Sequence, residues 1–191
     1  MLNLAIKSWY KTVVVLIFLI IVVGGITRLT GSGLSMVDWR PVMGILPPLS
    51  TVEWQGLFDQ YKLFPQYKLE NSSMTLAAFK AIFFWEYLHR ILGRLIGLSL
   101  ILPFVYFLLK KQLSKPLIQQ SIVMIVLVIA QGLMGWYMVK SGLVDNPAVS
   151  HFRLAAHLSL ALLLLAYLYR TIFFMRAKRL RKGYVLIKSW L

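Results

Sequence analysis

The chain has 191 residues, no cysteine, 59% hydrophobic residues and a formal net charge of +15, from 21 Lys+Arg against 6 Asp+Glu. Soluble domains hold roughly 45–50% apolar residues, so a soluble nucleic-acid binder is excluded, and 14% charged residues exclude a disordered chain. The missing cysteine removes disulfide frameworks, thiolate metal sites, iron–sulfur clusters and thiol nucleophiles, whereas a membrane protein holds both grease and charge if its positive residues lie on one side.

Four segments reach the roughly 20 mostly apolar residues that a span requires: about 12–29, 81–109, 117–139 and 147–175. They predict an all-α membrane protein, a single four-transmembrane-helix bundle over 1–191. Met1 to Lys11 is short and basic and leads into a run long enough to span, so no cleavable signal peptide is expected. A loop of about 30–80 follows. In it Ser50-Thr51-Val52-Glu53 fits a capping box, and Trp54, Leu57, Phe58 and Tyr61 recur at helical spacing. This predicts a short amphipathic helix on the membrane surface or over the bundle, with simple anchoring as the alternative.

Pro103 inside the second span predicts a kink, because neighbouring helices re-satisfy the freed carbonyl. Pro116 marks the start of the third span, and Asn146-Pro147 an N-cap and first turn for the fourth. Lys7, Lys11, Lys110, Lys111, Lys115, Arg170 and the basic tail at 176–191 carry 12 of the 21 basic residues and none of the acidic ones. That side is expected to face the cytoplasm or matrix, with both termini inside and the 30–80 loop outside.

An ionisable residue inside a span costs roughly 2.5–3.5 kcal/mol on insertion scales, so it is paired, wet or functional. The second span carries Glu86, His89, Arg90 and Arg94. Glu86 and His89 share a helix face, and Glu86, Arg90 and Arg94 form an i, i+4, i+8 row. Gly93 and Gly97 permit close approach of a helix or a flat ligand. The fourth span carries Arg153 and His157, with small neighbours Ala156 and Ser159. Both spans run inward, so His89 and His157 are expected at one depth, an arrangement that suits the axial positions of a haem. Arg90, Arg94 and Arg153 are candidates for holding propionates, and with no CxxCH the haem is non-covalent.

Blander readings stand beside these. Glu86, His89 and Arg90 also fit an internal ion-pair cluster, and His157 a hydrogen-bonded bundle histidine. His151 has the wrong spacing for the His157 face and reads as solvated or capping. Arg28 is an interfacial snorkelling residue or a further cofactor contact. Gln131, Gly132 and Gly135 read first as helix packing and second as a haem-facing surface.

GGITRLTGSGLSMVDWRP at 24–41, the PP-x5-W segment at 47–54, FFWEYLHRILGR at 83–94 and SHFRLAAHL at 150–158 resemble the haem A synthase family, in the longer-loop form of mitochondria and their bacterial relatives. The resemblance covers about 12–175. It implies an inner-membrane oxidoreductase that converts a methyl group of haem O to the formyl group of haem A for terminal oxidase assembly. It implies further that Glu86 is catalytic and that His89 and His157 face the haem iron. Full members of this form have eight spans, with a haem b in a second bundle that this chain lacks. That implies the chain is the substrate-haem half, with a second half-bundle, a further copy or haem O synthase as partner. Gln66 and Ala78 stand where the family form has glutamates. A b-type electron-transfer subunit and a haem-free assembly subunit are the rival readings.

Overall fold

Hydrocarbon offers backbone amides no water, so an apolar run of spanning length closes its hydrogen bonds within itself, as a helix. The computed structural model describes residues 2–37, 45–144 and 147–188, with side chains for 4–37, 45–144 and 147–175. Its helices in chain order are α1 (Leu2–Leu29), α2 (Thr51–Tyr61), α3 (Pro65–Leu69), α4 (Leu76–Leu109), α5 (Lys115–Lys140) and α6 (His151–Lys188). Four of them, α1, α4, α5 and α6, are long and apolar enough to cross a membrane. α1 packs on α4, α4 on α5, α5 on α6 and α6 on α1, which closes a ring of four.

The termini end of the ring is packed with side chains. Ile6, Trp9, Tyr10, Val13 and Ile17 of α1 meet Ile96, Leu100 and Phe107 of α4, Met124 of α5, and Leu164 and Leu168 of α6. Two polar ties fix the register there: Trp9 Nε1 donates to the Ser99 carbonyl at 2.7 Å, and the Tyr10 hydroxyl lies 2.7 Å from Ser121 Oγ. Buried polar groups of this kind persist because each has a partner.

α1 ends on Gly31, whose φ of +64° is the left-handed conformation that glycine adopts without strain. Ser32 N–H then bonds the Thr27 carbonyl and Gly31 N–H the Arg28 carbonyl, a Schellman closure that turns the chain back over the bundle. The predicted α2 is present with both halves of its capping box. It lays Phe58 and Trp54 on α4, where Phe58, Tyr61, Phe79 and Phe83 form a second core. The segment therefore caps the α4 end of the bundle.

Two boundaries differ from expectation. α4 begins at Leu76, inside the stretch read as loop, because Thr75 caps it by accepting from Ala78 N–H and because Phe79 and Phe83 bury against α2. α6 begins at His151, not Pro147. Ser150 N–H is drawn back to Ser141 Oγ at 2.9 Å, and the Gly142 backbone packs against Ala148 and Leu34, so 147–150 close the connection. Asn146, the expected cap, lies outside the described residues. α4 runs through Pro103 without a break.

Candidate functional site

Above the packed end the apolar core stops. Among the described residues, no hydrophobic side chain is buried in α1 beyond Ile17, in α4 between Phe83 and Ile96, in α5 beyond Met124 or in α6 before Ala161. His89, His157, Gln131, Gly24 and Gly135 mark this level. The His89 ring leans on Gly24 of α1: a Cβ there would stand 3.1 Å from His89 Nε2. The His157 ring leans on Gly135 of α5, where a Cβ would stand 3.1 Å from Cε1. Gly24 and Gly135 each lie five residues before the C-terminal end of their helix. Each antiparallel pair thus supplies one histidine and the glycine that seats it. The two imidazoles are both half-buried.

Glu86 is 4% exposed and fully engaged. Its Oε2 accepts from Ser35 Oγ at 2.7 Å and Met36 N–H at 2.8 Å, and its Oε1 from Arg90 Nη2 at 2.5 Å. Arg90 also donates to the Met36 carbonyl at 2.9 Å. The Glu86–Arg90 pair therefore joins α4 to the turn after α1, one helical turn from His89. Ser35 and Met36 are partners that local spacing does not disclose, since they lie some fifty residues from Glu86.

The remaining expected contacts fall in different places. Arg94 follows Arg90 by one turn and is half-buried. Arg153 is spent on α5: Nη1 donates to the Tyr137 carbonyl at 2.8 Å, and its guanidinium lies 3.7 Å from the Tyr137 ring centroid. Arg28 and His151 are both exposed, near the C-terminal end of α1 and at the start of α6. Gln66 is 6% exposed; it accepts from Tyr61 OH at 3.0 Å and donates to the Gly31 carbonyl at 2.8 Å.

A haem fits this donor set. Among the described residues no three His, Asp or Glu converge to hold a bare ion. Two imidazoles suffice for an iron that brings four nitrogens of its own. His157 Nδ1 and Gln131 Oε1 are buried without a hydrogen-bond partner, which is costly unless something else satisfies them.

The four-helix ring, its histidine level and its polar cap define a helical membrane protein with a candidate haem site. The family described as cytochrome oxidase assembly protein (COX15-CtaA) matches residues 7–188, and the chain belongs to it. It is 54% identical over 156 residues to a heme A synthase of Nitrosospira multiformis, covering 82% of this chain and 44% of that protein. It is 50% identical over 167 residues to that of Flavobacterium johnsoniae, covering 86% and 49%, and 53% identical over 156 residues to that of Rickettsia bellii, covering 82% and 46%. The chain thus spans about half the length of these curated relatives. No solved structure matches it.

Proposed function

We propose that this chain is the substrate-haem half of a haem A synthase, in which His89 and His157 face the iron of haem O and Glu86 stands beside the methyl group to be oxidised. The carrying observation is the pair of glycine-seated histidines at one level of the ring, where apolar packing stops. The bound haem iron supplies the oxidation chemistry. His89 and His157 orient it. Glu86, fixed by Ser35, Met36 and Arg90, offers a carboxylate one turn from His89, placed to stabilise positive charge or accept a proton. The cap of α2 and α3 covers that end and limits water. Arg90, Arg94 and Arg153 are the candidates for holding a propionate; Arg90 also donates to Glu86 and the Met36 carbonyl, and Arg153 to the Tyr137 carbonyl. A haem b belongs to the second bundle of the full-length protein, and the membrane is the bacterial or mitochondrial inner membrane with both termini inside.

The test is spectroscopic. The purified chain in detergent, supplied with haem, should give a low-spin spectrum that His89→Ala and His157→Ala each abolish or change and that His151→Ala leaves intact. Equal effects at all three positions would sink the assignment. A second reading is favoured by the saturated contacts of Glu86, which also suit a purely structural ion pair in a b-type carrier. Glu86→Gln separates them: a carrier keeps its haem and redox cycling, whereas in the full-length synthase formyl formation stops.

A further inference from the structure

Between Arg40 and Glu53 the chain carries no charged residue, and the described part of that stretch, 45–52, reads Ile-Leu-Pro-Pro-Leu-Ser-Thr-Val. Leu46, Leu49 and Val52 are 75%, 81% and 82% exposed, whereas α2 beyond them exposes Glu53, Gln55, Asp59 and Gln60. An apolar patch of this kind marks a surface that something apolar covers. The backbone beneath it suits a place poor in water. Pro47 and Pro48 have no N–H, and the N–H groups of Leu49 and Ser50 donate to Glu53 Oε2 at 2.7 and 3.1 Å. Residues 47–50 therefore present no N–H that water must satisfy, which is the condition for entering lipid.

The level of the segment is set by Tyr87, whose hydroxyl donates to the Ile45 carbonyl at 2.6 Å. Tyr87 lies 22 residues before Leu109, the last residue of α4, or about 33 Å along the helix axis. The hydrocarbon core is about 30 Å thick, so with Lys110 and Lys111 at one membrane boundary Tyr87 stands at the other, where tyrosine is enriched. Tyr87 also borders an exposed apolar stripe of α4, formed by Phe84, Leu95, Leu98 and Leu102 at helical spacing. We propose that 45–52 is a membrane anchor of the cap: Leu46, Leu49 and Val52 enter the cap-side leaflet beside Tyr87, and phospholipid acyl chains cover them. α2 is then held from two sides, by its aromatic face on α4 and by lipid through the segment that precedes it. The proposal is independent of the haem reading and rests on the four helices spanning a membrane.

The test is the depth of nitroxide labels, each placed on a sole introduced thiol because the chain has no cysteine. Leu46→Cys, Leu49→Cys, Gln60→Cys and Leu102→Cys are labelled singly in the purified chain, in vesicles of phosphatidylcholine and phosphatidylglycerol. EPR then reads collision with oxygen and with a water-soluble nickel chelate. All four positions are exposed, so no label meets the core. The labels at 46 and 49 should show a several-fold higher oxygen-to-nickel ratio than the label at 60, approaching that at 102 in mid-span. A label on Val52→Cys should lose the same excess when Leu46→Gln and Leu49→Gln are combined. Ratios at 46 and 49 no higher than at 60 place the segment in water and overturn the proposal. Shielding from both reagents overturns it too, because protein and not lipid then covers the patch, as does a label at 52 that ignores the double substitution. If the label at 102 itself reads as aqueous, the membrane reading fails and the anchor with it.

Discussion

Glu86 is a carboxylate buried within a helix long and apolar enough to span a membrane. Its side chain is 5% exposed and that of Arg90 13%, so each charge depends on the other. Removing one partner of such a pair costs about 3–5 kcal/mol, because the remaining charge stays desolvated. Glu86→Ala should therefore lower the thermal stability of the purified protein sharply. Glu86→Gln, which keeps an oxygen for Ser35 and Met36 N–H, should cost clearly less in the same melting experiment. Melting temperatures of both variants equal to that of the wild type would show that the ion pair contributes nothing to the fold. The Glu86–Arg90 pair is legible in the sequence, as an i, i+4 spacing. Its loop partners are not, because Gly31 must first turn the chain back over the bundle. Gln66 teaches a similar lesson. A glutamate at this position would lack the amide that donates to Gly31, while burial holds the Tyr61 phenol above its ordinary value and keeps it a donor to Gln66.

At the scale of the element, α2 shows which local signals survive folding. Its capping box was readable because it needs only residues three apart, and its aromatic spacing because one face must meet a partner. α3 and the first turn of α4 are not legible in the sequence, because their short apolar runs gain meaning only against α2. The same capping chemistry makes α2 sensitive to acid. Backbone N–H groups of Leu49 and Ser50 lower the Glu53 carboxyl below its ordinary 4.5, and hydrogen bonds from Lys62 and Gln55 lower Asp59 below 3.8. Depressed carboxyl values mean that the stabilisation is present above the unfolded value and disappears as pH falls through the folded one. Amide exchange across 51–61, corrected for intrinsic rates, should accelerate between pH 6 and about pH 3. Glu53→Gln combined with Asp59→Asn should flatten that dependence; an unchanged slope would assign it elsewhere. Ser50→Ala should weaken the helix by about 1 kcal/mol at all pH values.

At the scale of the molecule, the conflict between apolar content and charge becomes a statement about sidedness. The ring places the α4–α5 connection, with Lys110, Lys111 and Lys115, at the same end as the N-terminus and the far end of α6. The opposite end carries the α2–α3 cap and the histidine level within a few turns of it. Twelve of the 21 basic residues and none of the six acidic ones belong to the first end, so the positive-inside bias should hold that end in the cytoplasm or matrix. The chain has no cysteine, so any introduced thiol is the sole target of a membrane-impermeant maleimide. Ser73, exposed before α4, and Ser114, exposed before α5, sample the two ends. In intact bacterial cells with a permeable outer layer, Ser73→Cys should be labelled and Ser114→Cys should be labelled only after lysis. The reverse pattern would invert the bundle and place the histidine level near the cytoplasmic face. Labelling of both would show that the four helices do not cross the membrane as a single ring.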